Sequence, residues 1–353
     1  MHMADALLSP GVAATMYVLS GTAAGISVAR LKKDEDTQKL PVMAVTAALV
    51  FAGQMINYTI PGTGSSGHLC GGMMLSALLG PFAGFLSMIV ILTIQCLFFA
   101  DGGLLALGAN CWNMAFYGCF VGYFLIWRPI MQSRIGAKME KKAAGRFKVI
   151  LASVLGCIVT LQLGAFSVVL ETSLSGITEL PFGAFCGLMQ PIHLAIGLVE
   201  GLITAAVLVF VFESRPELLQ EADFRADGVT GKGSLRSTVV TLAVVTVFVG
   251  GALSLFASGS PDGLEWALFG NKEAGYSENM ALDEENFGVE SSAADTAASI
   301  QEKTAFLPDY AFSNSDSAAG TTVSGIVGSA LVAAVAAAIC LIGRFFRKKT
   351  VHG

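Results

Sequence analysis

Charged residues are scarce in this sequence: they make up 13% of its 353 residues, whereas hydrophobic residues make up 54%. Soluble domains carry about 25% charged residues, so this composition excludes an ordinary soluble domain. No Asp, Glu, Lys or Arg lies between Lys39 and Asp101. That stretch is long enough for about three membrane spans of roughly 20 residues each. We therefore expect an all-α polytopic membrane protein that lies in the lipid bilayer of the cell membrane.

Motifs for catalysis and nucleotide binding are also missing. The nearest match to a phosphate-binding loop, GVTGKGS from Gly228, lacks the spacing and the Lys-Ser/Thr ending of G-x-x-x-x-G-K-[ST]. The metalloprotease motif H-E-x-x-H does not occur, and none of the seven cysteines forms a C-x-x-C pair. The sequence therefore does not predict an enzyme, and energy for uphill transport would have to come from partner chains.

Basic residues fall into four clusters, and only Lys272 and Lys303 lie elsewhere. The clusters are 30–39, 128–148, 215–236 and 344–349. Because positively charged loops stay in the cytoplasm, nine spans that start from an outside N-terminus would place every cluster inside. This count requires two passes between His68 and Ala100, with a turn at Gly80 and Pro81. Most acidic residues then lie in outer loops, a pattern that argues against nucleic acid as a partner.

The chain divides into two predicted membrane modules. Residues 1–212 form a seven-pass unit, residues 213–236 a polar cytoplasmic linker, and residues 237–353 a two-pass module with an outer segment at 258–320. No Lys or Arg precedes Arg30, and a cleaved signal peptide needs a basic start, so we expect the N-terminus to be retained. The acidic stretch from Asn271 to Lys303 either attracts cations or is a solvated loop without a role.

The first two residues suggest a metal chelate. An N-terminal X-His sequence offers its amine, the amide nitrogen of His2 and the ring Nδ1 of His2 in one plane. A second imidazole, from His68 in the loop GTGSSGH, would complete a square of nitrogens, which suits Ni(II), Cu(II) or low-spin Co(II) better than tetrahedral Zn(II). In the alternative, His2 is an ordinary second residue and His68 packs in a glycine-rich turn. The predicted topology places Met1, His2 and His68 together on the outer face, and this favours the metal site.

A few further polar residues lie in predicted spans, where ionisable groups are costly. His193 and Glu200 are seven residues apart and share one helix face. They form either a metal relay, a buried structural hydrogen bond or a contact with a partner subunit. Asn110 and Asn113 either orient an imidazole ligand or join helices. Cys70 is a possible soft ligand, although packing is the simpler explanation.

Four ordered motifs resemble a known family. They are MHMADALLSP, IPGTGSSGHLCGG, FFADGGLLALGANCWNM and PIHLAIGLVEGLIT. Together they are similar to the CbiM and NikM substrate-binding proteins of energy-coupling-factor cobalt and nickel importers, and the resemblance covers most of residues 1–212. SPDGLEWA and FLPDYAF in the second module resemble the two-pass CbiN and NikN component with its PDGLE motif, here fused to the first module.

The resemblance implies a helical bundle that binds Ni(II) or Co(II) as transported substrate through Met1, His2 and His68. It also implies that the second module assists metal loading, and that the partners are a membrane coupling subunit and two cytoplasmic ATPases. The competing functions are a membrane metalloenzyme with Glu200 as general base and a metal channel that works without ATP. The first would need an open coordination position. The second would show paired half-repeats or midplane acids, which the sequence does not.

Overall fold

The computed structural model describes residues 1–31, 39–221, 229–275, 279–280, 282, 287–312 and 319–351, with the backbone alone at 39–40 and 340–351. Parts of the predicted linker, of the outer segment 258–320 and of the basic clusters 30–39, 215–236 and 344–349 therefore lie outside this description. The described chain is mostly helical and contains two short strands.

Eleven helices and two short strands are numbered along the described chain. They are α1 Pro10–Leu31, α2 Lys39–Gln54, β1 Tyr58–Ile60, β2 Ser65–Gly67, α3 Gly72–Leu79, α4 Pro81–Phe99, α5 Leu107–Gln132, α6 Lys141–Leu174, α7 Phe182–Ser214, α8 Leu235–Gly251, α9 Gly263–Phe269, α10 Ser292–Thr304 and α11 Ala319–Val351. Single 3₁₀ turns occur at Asp5–Leu7, Pro216–Leu218, Leu253–Phe256 and Pro308–Tyr310. Within α5, the segments Cys111–Val121 and Tyr123–Trp127 are π-helical.

Six of the described helices are long and apolar enough to cross a bilayer. They are α1, α4, α5, α6, α7 and the Ala319–Ile339 part of α11. Two shorter apolar segments, Pro41–Gln54 and Leu235–Gly251, accompany them. The prediction of a helical, multi-pass membrane protein is thus confirmed, whereas the count of nine spans and the outside N-terminus stay predictions.

The loop that carries His68 is followed by the short helix α3, and a break in the helical structure separates α3 from α4. The two helices meet at Gly80 and Pro81, the predicted turn, where Gly80 has a φ of +81° and Pro81 begins α4. Every residue of α3 is buried. The backbone N–H of Gln220, which follows α7, donates to the carbonyl of Ala77 in α3. We call this end of the bundle the linker end, and the opposite end, which carries Met1 and His68, the Met1 end.

Glycines allow the long helices α6 and α7 to pack closely. A side chain at Gly201 would come within 2.7 Å of the Cα of Val154, and one at Gly197 within 3.0 Å of the Cα of Ile158. In a membrane the hydrophobic effect does not drive helices together, so their association depends on van der Waals packing. Small residues at the helix interface permit this close contact. The tight α6–α7 pair holds His193 and Glu200 at fixed positions.

The second module wraps around the first. Helices α8 and α11 pack against α2 and against each other, α9 contacts α7, and α10 contacts α4. Part of the acidic stretch forms α10, whose first turn is capped by the side chain of Ser291. The residues that precede α9 reach the Met1 end, where Ser66 donates its backbone N–H to the carbonyl of Pro261. The two modules therefore meet at the loop that carries His68.

Candidate metal site at the N-terminus

The first eight residues are inserted into the Met1 end of the bundle. Met1, Met3, Leu7 and Leu8 are all buried. The backbone N–H of Met3 donates to Oδ1 of Asn110 at 2.8 Å, and the carbonyl of Met3 accepts from Nδ2 of Asn110 at 3.2 Å. The carbonyl also accepts from the backbone N–H of Gly103. Burial of these apolar side chains and the three hydrogen bonds to the backbone of Met3 fix the position of the chain one residue after His2.

The amine of Met1 lies between an imidazole and a carboxylate. It is 3.2 Å from Nε2 of His68 and 2.7 Å from Oδ2 of Asp262. The same carboxylate oxygen is 3.7 Å from Nε2 of His68. Burial alone would raise the pKa of Asp262, but the positive amine and His68 hold that pKa well below its usual range. Asp262 is therefore an anion that balances the charge of the buried amine.

The ring of His2 is stacked on that of His68, with centroids 5.2 Å apart and planes at 21°. Its Nδ1 faces Oδ1 of Asp101 at 3.1 Å, while its Nε2 is buried without a hydrogen-bond partner among the described residues. Burial lowers the pKa of the His2 ring to about 4, although Asp101 opposes the shift. The ring is therefore neutral at pH 7, and the partner of Nδ1 assigns the proton to that nitrogen.

A short hairpin and a buried carboxylate position His68. The strands β1 and β2 pair antiparallel, and His68 follows β2 directly. Its Nδ1 lies 3.1 Å from the carbonyl of Leu69, which assigns the proton to Nδ1 and leaves the lone pair of Nε2 facing Met1. Glu200 accepts the backbone N–H groups of Cys70 and Gly71 at 3.0 and 2.9 Å. Thus Glu200 anchors the loop and makes no ion pair with a cation among the described residues.

Asp262 also begins α9, and this accounts for its orientation. Its Oδ1 accepts the backbone N–H groups of Leu264 and Glu265, and the side chain of Glu265 in turn accepts the N–H of Asp262. This capping box occupies one carboxylate oxygen and leaves Oδ2 for the amine of Met1. Sequence reasoning missed Asp262 as a site residue, although D-G-L-E already has the spacing of a capping box.

Two more predicted residues lie deeper at this end. Asn113 donates to Oε2 of Glu171 at 2.8 Å and contacts the Sδ atom of Met3 at 3.5 Å. His193 is buried in α7 and, with Met1 and His68, lines a small cavity. Glu171 was not singled out from the sequence, because it directly follows the uncharged run of α6 and looks like an interfacial residue there. The structure thus brings Met1, His2 and His68 together and places both asparagines at Met3.

A larger cavity opens onto the stacked histidines. It has a volume of about 510 Å³ and is lined by both modules. Its acidic residues are Asp5, Asp101, Asp262, Glu265 and Asp309. Burial raises the pKa values of Glu265 and Asp309, and neighbouring carboxylates add to both shifts. We call this cavity the acidic vestibule; its carboxylates make it attractive to cations.

Nitrogen donors dominate the arrangement. Among the described residues, no group of three or more His, Cys, Asp or Glu side chains is placed so that it could hold a metal ion. A metal at this end would therefore need backbone donors, and the amine of Met1 beside Nε2 of His68 supplies one. Two nitrogens that bind one metal at about 2.0 Å in cis positions lie about 2.8 Å apart. The observed separation of 3.2 Å is close to that value.

Comparison with known proteins places this geometry in context. Residues 2–218 match the family described as cobalt uptake substrate-specific transmembrane region, and residues 236–344 match the PDGLE domain. The putative fused nickel transport protein NikMN of Archaeoglobus fulgidus is 34% identical over 98% of this chain and 99% of its own length. The fused nickel transport protein NikMN of Rhodobacter capsulatus is 30% identical over 62% of this chain and 64% of its own. A crystal structure of a truncated transition metal transporter superimposes with a TM-score of 0.51 and 32% identity, covering 60% of this chain and 99% of the other.

Proposed function

Because this chain belongs to the family of cobalt uptake substrate-specific transmembrane regions and carries a PDGLE domain, we propose that it binds Ni(II) or Co(II) at its N-terminus and passes the ion into the cell. In this proposal it is the substrate-specific component of an ATP-driven energy-coupling-factor importer. The relatives that it matches over most of their length are transport proteins by name.

One observation carries the proposal: the amine of Met1 lies 3.2 Å from Nε2 of His68, with the ring of His2 stacked alongside. The metal ligands are the Met1 amine, the His2 amide nitrogen, Nδ1 of His2 and Nε2 of His68. The amine and His68 nitrogens occupy neighbouring corners of the square. A planar set of four nitrogens favours Ni(II) over Co(II) on the stability order.

Binding requires two existing contacts to be exchanged. The amine must lose a proton and its ion pair with Asp262, because a metal-bound amine has no lone pair left for a proton. Nδ1 of His2 must release Asp101, and the ring proton moves to Nε2, which has no hydrogen-bond partner among the described residues. The amide of His2 also loses a proton, so metal binding releases protons and weakens in acid.

In the membrane, the Met1 end faces the outside and the linker end faces the cytoplasm. The acidic vestibule then concentrates cations from the external solution, and Asp101 and Asp262 form its inner wall. The basic loop at 128–148 lies at the linker end, where Lys142 and Arg146 pair with Glu213. A membrane coupling subunit and two cytoplasmic ATPases dock at this face. They supply the energy for transport, because the sequence of this chain has no phosphate-binding loop.

The test is metal titration of the full chain with its native N-terminus, compared with a variant that carries four additional Ala residues before Met1, because a single added residue would create an X-X-His sequence that chelates Ni(II) in a plane without His68. The matched control carries the four additional Ala residues after Gly353. We expect a planar, diamagnetic Ni(II) spectrum for the native and control chains, and at least a hundredfold loss of affinity for the N-terminally extended chain. The proposal is overturned if the Ni(II) affinity is the same in all three chains and the Co(II) affinity is also the same in all three.

A further inference from the structure

His193 presents a free imidazole nitrogen to the interior of the protein. The residue is 1% exposed and lies on α7. Its Nδ1 is 2.8 Å from the carbonyl of Met189, which can only accept, so Nδ1 carries the ring proton. Its Nε2 therefore has a lone pair, and this atom has no hydrogen-bond partner among the described residues. A neutral imidazole with its other nitrogen fixed by a carbonyl is the usual form of a metal ligand.

This nitrogen lies beside a small cavity directly beneath the proposed metal site. The cavity has a volume of about 10 Å³, the size of a single water-sized group. Met1, His68, Asp262 and His193 all line it. The side chains of Cys70, Met114, Leu161 and Ile196 complete its wall. The cavity thus connects the ligands of the proposed site with an imidazole on the membrane-spanning helix.

Glycines on both outer loops allow the approach to α7. Gly263 follows Asp262, and a side chain there would come within 3.0 Å of Cε1 and 3.3 Å of Nε2 of His193. Gly67 precedes His68, and a side chain there would come within 2.7 Å of Ile196. Any larger residue at position 263 would cover the imidazole. The glycine of the PDGLE motif therefore keeps Nε2 of His193 in contact with the cavity.

We infer that His193 is the first inward ligand for the transported metal: after release from the Met1 and His2 nitrogens, the ion is held between Nε2 of His68 and Nε2 of His193. This inference rests on the proposed function. Two imidazoles bind more weakly than a chelate of four nitrogens. Weak binding suits a transit position, because an ion that is bound too tightly cannot leave for the next site.

A purely structural role for His193 makes different predictions. Because a buried nitrogen without a partner destabilises the fold, an apolar replacement of similar size would be tolerated or stabilising. A structural role would also leave metal binding and transport unchanged in such a variant. His193→Gln and His193→Leu separate the two roles, since Gln retains a polar donor and acceptor while Leu retains only bulk.

The binding experiment uses the full chain with four additional Ala residues before Met1, which removes the amine from the outer site without creating an X-X-His chelate at the new N-terminus. Co(II) is the probe, because imidazole ligands give paramagnetically shifted N–H resonances. We expect weak residual binding with two shifted imidazole signals, and one signal with at least tenfold weaker binding after His193→Gln. Leu161→Ile, which changes the same cavity wall without removing a donor, is the matched control and retains both signals. Unchanged residual binding in His193→Gln overturns the inference.

The transport experiment uses cells that contain the complete transporter with the native N-terminus. His193→Gln and His193→Leu should lower the Ni(II) uptake rate at least tenfold, while the affinity of the purified chain for its first Ni(II) stays within about twofold. If that first affinity falls as far as in His68→Ala, His193 belongs to the primary site and the transit role is wrong. If the unextended wild-type chain binds no Ni(II) or Co(II), the proposed function itself fails, so the two failures are distinguishable.

Discussion

Asp262 and the amine of Met1 form an ion pair with a separation of 2.7 Å, although 261 positions separate them in the sequence. The pair joins the second module to the first at the residue that we propose as a metal ligand. Both partners are largely buried, so neither charge is well solvated without the other. The second module thereby controls the environment of the amine, and this relationship can be tested directly.

Asp262→Asn should release the N-terminus. Asn still caps α9, but the buried amine loses its counter-charge, a loss that typically costs roughly 3–5 kcal/mol. We expect faster acylation of the Met1 amine by an amine-reactive ester, followed by mass spectrometry, and a lower thermal unfolding midpoint. Glu265→Gln alters the same capping box without touching the amine and is the control. Equal acylation rates in the two variants would show that the ion pair does not hold the N-terminus.

Glu200 should position the His68 loop through its hydrogen bonds, and its negative charge should not be required for metal binding. Glu200→Gln keeps an acceptor oxygen for one of the N–H groups of Cys70 and Gly71, so Ni(II) affinity should fall only severalfold. Glu200→Leu leaves both N–H groups unpaired at about 1–3 kcal/mol each and should weaken binding as much as His68→Ala. Metal titration of both variants decides this point. A Gln variant as damaged as the Leu variant would instead indicate that the negative charge is required.

Asn110→Leu should misplace the proposed ligands without altering any of them. The variant removes both side-chain hydrogen bonds to the backbone of Met3, and loss of an interaction that orients ligands typically lowers metal affinity about 10–100-fold. Gln162→Leu is the matched control, because its amide bonds to Gln190 between α6 and α7. Ni(II) titration of the two variants should separate them clearly. Equal affinities would mean that burial of Met1 and Met3 alone positions the N-terminus.

The ring of His2 should remain neutral well below pH 6. Burial lowers its pKa to about 4 from its ordinary value of 6.5. Between these two values the unfolded chain therefore binds more protons than the folded chain. The free energy of unfolding rises with pH across this window, and the contribution of His2 to it is lost as the pH falls through the window. A titration of ring ¹⁵N shifts in selectively labelled protein measures the value. A midpoint near 6.5 would show that the ring is solvated and not buried in its stack with His68.

Sequence reasoning identified the family, because four ordered motifs and the PDGLE pentapeptide are specific, and the comparisons confirm it. It also placed the turn between the third and fourth helices at Gly80 and Pro81, since glycine and proline interrupt a helix for a local reason. The ligand roles of Met1, His2 and His68 stay predictions, although the structure brings all three residues together. The helical nature of the spans was predictable because it depends on composition.

Long-range partners were beyond the sequence. Nothing local to SPDGLEWA indicates that Asp262 pairs with the first residue, because the pairing depends on how the second module packs on α2 and α7. Asn110 and Asn113 were expected either to orient an imidazole ligand or to join helices, and the sequence did not indicate that their amides bond to Met3 and Glu171. Glu200 was expected to share a helix face with His193 as a metal relay, a buried structural hydrogen bond or a partner contact, and the sequence did not indicate that its oxygens accept the backbone N–H groups of Cys70 and Gly71. Such partners are set by helix packing, which a single sequence does not encode locally.

The PDGLE segment and the metal-binding bundle are parts of one polypeptide, and this covalent link fixes their effective concentration. A separate subunit would dissociate on dilution or detergent extraction, whereas Asp262 stays within reach of the first residue at any protein concentration. Purification should therefore preserve the one-to-one ratio of the two modules. Cleavage of the linker within residues 213–228 would separate the two modules covalently. The contact between Asp262 and Met1 would then depend on an ordinary bimolecular equilibrium, whose strength could be measured by titrating one half against the other.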